Sequence, residues 1–272
     1  MELEIVRADP AGNITIFVMN PPDDAESRAA AVRAILDDSA LQAEQVGFVM
    51  PAQPPGNLWT LEMMGGEFCG NASRSFGLLA AEKTGISGSA SLKVAVSGAR
   101  RPLEVNVDTR TGNAEVEMPV PLAVATIEFK SRIFPLYVFD GISHVIAEDT
   151  PPDLNLAREL LHRVEQAAGL GKPDACGILF YDSRRQYMEP LVWVRATGSF
   201  VFETSCGSGS AALALRLLRN ADDTERLLEI AQPGGTITVR ALKRGGLIRR
   251  LSIGGKVTLG EPQKFSCAAC QG

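Results

Sequence analysis

"EFCGNASRSFGLLAAEKTG", residues 67–85, and "ETSCGSGSAALALRLLRN", residues 203–220, say nearly the same thing twice. Each places a cysteine directly before small residues and then a run of apolar positions at three-and-four spacing, the first closing on a glycine able to cap a helix. Apolar, β-branched stretches lead into both, "LWTLEMM" at 58–64 and "FVFETS" at 200–205. The reading is strand, cysteine, amphipathic helix in each case, which puts Cys69 and Cys206 at helix N-termini.

Outward from the two cysteines, the rest of the chain alternates in a matching order. "LEIVRA" (3–8) and "NITIFVM" (13–19) read as strands, and "DDAESRAAAVRAILDDSAL" (23–41) as a helix with acidic residues at its start. Strands follow the first cysteine at "LKVAVSG" (92–98), "PLEVNVD" (102–108) and "NAEVEMP" (113–119), the last two joined by the turn "TRTG". Past the proline-marked "PVPLAVA" (119–125), strands recur at "FPLYVFDG" and "SHVIAE", a helix at "NLARELLHRVEQAAGL" (155–170), and strands at "CGILFYD" and "EPLVWVR". After the second cysteine come "LLEIAQ", "TITVRAL" and "LIRRLSIGGKVTL". No short-period repeat is present, so the duplication is of a whole lobe.

Composition narrows the function classes. A chain of 272 residues, 45% hydrophobic, buries one large core or two moderate ones. A net charge of −5 leaves no basic face for nucleic acid. Apolar runs fall short of a membrane helix, and "MELEIVRADP" lacks the character of a signal peptide, which implies a cytoplasmic protein with no membrane partner. Five widely spaced cysteines, Cys69, Cys176, Cys206, Cys267 and Cys270, do not make a secreted disulfide framework.

A helix N-terminus favours negative charge, so a cysteine there can titrate nearer neutrality, and the amides beside it can hold a carboxylate. Two such cysteines acting on one sp³ carbon can take a proton from one face and return one to the other, inverting a stereocentre. This scheme needs no cofactor and no metal.

The motifs "DPAGNITIFV", "EQVGF", "GGEFCGNASRS", "ETSCGSGSAA" and "QPGGTITV" occur in that order across nearly the whole chain. They resemble the diaminopimelate epimerase superfamily, and their wording is most similar to the histidine racemases that supply D-histidine for staphylopine-type opine metallophores. The resemblance implies an α+β fold of two pseudo-symmetric lobes, each a mostly antiparallel sheet curled around a central helix. The lobes would span 1–118, with a returning tail at 258–272, and 119–257. It implies Cys69 and Cys206 as an opposed acid/base pair acting on a small-molecule amino acid, and it is compatible with a homodimer. Asn13 and Gln45 would contact substrate, with Glu44 beside them, and Gly70, Asn71, Gly207 and Ser208 would form the amide cradle. The stretches "GISH" (141–144), "DACG" (174–177) and "RATGSF" (195–200) lack the asparagines and arginine that hold the distal end of diaminopimelate, which argues for a substrate without a second amino-acid end. Glu62 and Glu44 are then candidates to read a basic or hydrogen-bonding side chain, although Glu62 could equally sit on the solvent face of its strand.

Competing readings are a diaminopimelate epimerase or a racemase of another amino acid, a phenazine-biosynthesis-type isomerase, and a thiol-redox or metal-binding protein built on "CAAC" at 267–270. The cysteines at 69 and 206 argue against the isomerase. No second cysteine pair accompanies "CAAC", which reads as a disordered or loosely docked tail. Asn13 could serve only its turn, and "QPGG" reads as a hairpin. His144 lacks an acidic or cysteine neighbour in sequence and reads as a satisfied core or surface histidine, and His162 as solvated on a charged helix.

Overall fold

A computed structural model describes residues 1–52, 58–167 and 172–267, so Cys270 and the end of the expected helix at 155–170 lie outside the described residues. The protein is a mixed α/β chain of mostly antiparallel strands, with four helices among the described residues, and it divides into two compact units. One comprises 1–117 and 254–272, the other 118–253.

The first unit opens with β1 (Glu2–Asp9) turning back into antiparallel β2 (Thr15–Val18). The turn places Ala11 and Gly12 at φ 65° and 88°, with the Gly12 amide held by Asp9 Oδ1 at 2.7 Å. Helix α1 (Ala25–Asp37), capped by Asp24 accepting from the Ser27 amide at 2.8 Å, crosses over so that β3 (Gln45–Met50) pairs parallel to β2. Strand β4 (Trp59–Met63) runs antiparallel to β3, and a second crossover through α2 (Gly70–Lys83) sets β5 (Ser89–Val96) parallel to β4. Strands β6 (Leu103–Asp108) and β7 (Asn113–Glu117) complete an antiparallel run.

The two helices do different work. Ala31 and Ile35 of α1 pack on Ile5, Ile16, Val18, Val46 and Phe48, the alternate residues of β1, β2 and β3. Helix α2 is buried on every face from Gly70 to Ala81, polar residues included, so the amphipathic helix expected there is instead a central one. Its hydroxyls turn inward on its own backbone: Ser73 Oγ donates to the Cys69 carbonyl at 2.6 Å and Ser75 Oγ to that of Asn71 at 2.8 Å. Close packing needs a glycine here, because a Cβ at Gly77 would stand 2.4 Å from Val105 Cγ1. The helix ends as its glycine suggests: Gly85, at φ 74°, donates to Glu82 and Ile86 to Ala81.

The second unit starts with β8 (Ala123–Phe129), β9 (Arg132–Val138) and β10 (Ile142–Glu148), each antiparallel to the one before. Helix α3 (Leu154–Gln166), capped by Asp153, carries the chain to β11 (Ala175–Asp182), parallel to β10. Ala157, Leu160, Leu161 and Val164 form its inner face, and His162 lies on the exposed one beside Gln166. Antiparallel β12 (Tyr187–Val194) and β13 (Ser199–Phe202) lead into α4 (Gly207–Leu217), again a helix buried along nearly its whole length. Strand β14 (Thr224–Gln232) pairs with β12 in parallel, and the two-residue turn Pro233-Gly234 folds it onto β15 (Gly235–Arg244), so "QPGG" is a hairpin. Strand β16 (Leu247–Lys256) runs back to the first unit.

There the last described strands, β17 (Thr258–Leu259) and β18 (Gln263–Ser266), pair antiparallel with β1 on the side away from β2. Cys267 follows them and is not loose: it is 1% exposed, and its amide and carbonyl pair with Met1. No described helix is long and apolar enough to cross a membrane.

Candidate active site

Both singled-out cysteines cap helices in one conformation. Cys69 has φ −125° and ψ 115°, and Cys206 has φ −126° and ψ 113°. In each helix the serine four residues on donates both its amide and its hydroxyl to the cysteine carbonyl: Ser73 at 2.9 and 2.6 Å, Ser210 at 2.9 and 2.7 Å. Glycines 70 and 207 open the first turn, where backbone amides have no intrahelical carbonyl to serve and no Cβ blocks approach.

Around Cys69, the thiol is half-buried and its Sγ accepts from the Ala72 amide at 3.4 Å. Ser97 and Gly98, which the sequence reading passed over, brace its approach. Ser97 Oγ accepts from Met63 N at 2.8 Å and donates to the Glu67 carbonyl at 3.0 Å. A Cβ at Gly98 would stand 2.3 Å from the Phe68 amide nitrogen. The expected substrate contacts are joined by hydrogen bonds: Asn71 Nδ2 donates to Asn13 Oδ1 at 3.3 Å, and Asn13 Nδ2 to Glu44 Oε2 at 2.7 Å. The Asn13 side chain thus looks away from its own turn. Gln45 follows, and its buried Oε1 has no partner among the described residues. Glu62 pairs with Arg28 at 2.6 Å on the exposed side of β4.

Around Cys206, the partners are deeper. Gln232 Oε1 accepts from the Cys206 amide at 2.8 Å while its Nε2 donates to Ser210 Oγ at 2.9 Å, so the hairpin residue clamps the first turn of α4. Burial pushes the Cys206 thiol well above the usual range, the charge of Glu203 adds to this, and the Gly209 amide and Ser208 hydroxyl oppose it. Ser208 Oγ stands 3.7 Å from Cys206 Sγ and 2.8 Å from His144 Nε2.

His144 is fully buried, and its Nδ1 has no partner against Gly177, where a Cβ would come within 2.3 Å. A buried acceptor left unpaired is tolerated better than a buried N–H, which assigns the ring proton to Nε2. His144 then donates to Ser208, freeing the Ser208 hydroxyl to point at Cys206. Nothing near residue 144 in sequence betrays this, because Ser208 lies 64 residues on.

Desolvation lowers the His144 pKa from its usual value to about 3. The unfolded chain, with an ordinary histidine near ~6.5, therefore binds one more proton than the native state between those values. Stability from this group is full above pH ~6.5 and is lost as pH falls toward 3, with a slope of about 1.4 kcal/mol per pH unit for the one proton. Urea unfolding at several pH values should show this slope in the wild type, and His144→Gln should flatten it by one proton's worth. Equal slopes in both would contradict it.

Cys176 is a core residue, its thiol pushed up to about 12 by burial, with a smaller push from Glu165. Among the described residues no group of three or more His, Cys, Asp and Glu is gathered closely enough to hold a metal ion.

Solved structures with a similar fold include epimerases. A protein described as a predicted epimerase from Pseudomonas aeruginosa superposes with a TM-score of 0.68 at 14% identity, covering 97% of this chain and 99% of that one. A hydroxyproline epimerase from Agrobacterium vitis, with bound trans-4-hydroxy-L-proline, gives 0.64 at 12% identity over 97% and 92%. The architecture is thus of the epimerase type. Among curated proteins, the histidine racemase of Fusobacterium nucleatum is 33% identical over 86% of both chains. That of Staphylococcus aureus is 28% identical over 94% of both. Residues 2–261 match the family described as histidine racemase CntK N-terminal domain. The chain belongs to the histidine racemase family, and it is an isomerase of the racemase type.

Proposed function

We propose that the protein interconverts L- and D-histidine without a cofactor, using Cys69 and Cys206 as opposed bases at Cα. The observation that carries this reading is the matched pair of helix-capping cysteines, alike in backbone, in the glycine that follows and in the serine that anchors each carbonyl. One thiolate removes the Cα proton and the other thiol returns one to the opposite face. The first-turn amides of α2 and α4, at Gly70, Asn71, Gly207 and Ser208, stabilise the charge that gathers on the substrate carboxylate as the carbanion forms.

Gln45 Oε1, a buried acceptor without a partner among the described residues, suits the α-ammonium group. Glu44, whose carboxylate accepts from Asn13, receives an imidazole N–H of the substrate in this reading. Two pseudo-symmetric lobes, a cytoplasmic location and supply of D-histidine to opine metallophore assembly belong to the same reading.

Incubation in D₂O with each L-amino acid in turn, followed by NMR of the Cα proton and chiral chromatography, tests the proposal. Histidine should exchange and racemise fastest with no pyridoxal phosphate added. Faster turnover of diaminopimelate or alanine would overturn the histidine assignment, and no exchange with any amino acid would overturn the mechanism.

A further inference from the structure

Arg74 is the largest of the fully buried side chains, and it sits on α2 five residues beyond Cys69. Its Nε donates to Asn71 Oδ1 at 3.2 Å, and its Nη1 to the carbonyls of Gly255 and Lys256 at 3.0 and 3.4 Å. Its Nη2 is buried without a partner among the described residues. All of these partners are neutral, and among the described residues no carboxylate forms an ion pair with it. An uncompensated buried cation is strongly destabilising, so a guanidinium retained here calls for a counter-charge.

One candidate stands at the start of the same helix, Cys69. Phe17 and Val105 pack against α2 from the strands, and Glu67 turns its carboxylate to the Gly65 amide at 2.9 Å. Desolvation lowers the Arg74 pKa to about 10, and the charge of Cys69 acts against this. The attraction is mutual: a cation at Arg74 favours an anion at Cys69 Sγ.

Arg74 also gives the neighbouring hydrogen bonds a direction. Guanidinium only donates, and the Glu44 carboxylate only accepts. Between them the amides of Asn71 and Asn13 have one orientation each, running Arg74 to Asn71 to Asn13 to Glu44 at 3.2, 3.3 and 2.7 Å.

We propose that Arg74 is a positioning residue, the buried counter-ion of the Cys69 thiolate and the donor that orients Asn71 and Asn13. The proposal rests on Cys69 being one of the two bases. Cys69 would then be the thiol that stands deprotonated in the resting enzyme.

The rate of Cys69 alkylation by iodoacetamide, read by peptide mass spectrometry across pH, tests this without turnover. In the wild-type enzyme the midpoint should lie below the ~8.5 of a free cysteine. Arg74→Gln should raise it by about one unit or more, a tenfold loss of thiolate at a given pH below the midpoint, and Arg74→Lys should hold it near wild type. A wild-type midpoint at or above 8.5, or one unmoved by Arg74→Gln, would overturn the proposal, as would equal loss of stability in both variants with no change in midpoint. If Arg74→Gln does not fold, the wild-type and Arg74→Lys midpoints decide. Failure of the two-base reading is seen separately, as racemisation that survives in Cys69→Ser.

Discussion

Cys69→Ser and Cys206→Ser are each expected to lose racemisation by on the order of 10³-fold or more, because a serine hydroxyl neither ionises near neutral pH nor returns a proton as a thiol does. Inversion needs both groups, so either change alone suffices. Exchange of the Cα proton with solvent needs only one. A single variant should therefore still wash deuterium into one enantiomer of histidine without converting it, and the two variants should do so with opposite hands. That pattern would assign each thiol to its enantiomer. Wild-type racemisation in either variant, by chiral chromatography with no pyridoxal phosphate present, would remove the two-thiol mechanism.

Gln232→Leu should give the next largest effect, on stability and activity together. The side chain is 4% exposed and serves two groups at the start of α4, the Cys206 amide and Ser210 Oγ. Leucine fills the space but leaves both without that partner, at ~1–3 kcal/mol for each buried group. Tm should fall accordingly. The Cys206 cap loses its anchor, and a small displacement of a reacting sulfur costs roughly 10–100-fold in kcat. Unchanged Tm and kcat would mean that the Gln232 clamp is idle. Leucine at Gln45, where the amide oxygen has no protein partner, should instead raise KM with little loss of stability.

The contrast between those two glutamines shows where sequence reading stops. Gln232 was readable as the first residue of a hairpin, since "PGG" is local turn chemistry. Its grip on Cys206 spans 26 residues and leaves no local trace. The cysteines were readable because strand, thiol and helix are contiguous, and the helix signal repeats. His144 and Arg74 were not, since their partners come from Ser208 and from the backbone at 255 and 256.

In the fold, alternation marks most strands, and acidic residues at its start mark helix α1. Strand β8 escaped because its residues are mostly exposed or half-buried, and because its hairpin turns at Lys130 and Ser131, with φ 48° and 59°, where no glycine or asparagine announces positive φ. Helix α2 reads as amphipathic in sequence because its serines and arginine resemble an outward face, whereas in the fold they are buried against their own backbone and distant carbonyls.

The strands that pair with β1 on its second side are also, among the described strands, made after all the others. On a ribosome adding ~5–20 residues per second, β1 emerges first and waits on the order of 10–50 s for β17 and β18. Throughout that interval the first unit presents an open strand edge, a template for joining another nascent chain. Biosynthesis thus leaves the second side of β1 unpaired for an interval, until β17 and β18 cover it. Chains stalled before residue 258 should depend on chaperones and aggregate when these are scarce, while chains that extend past residue 266 cover the second side of β1 with β17 and β18.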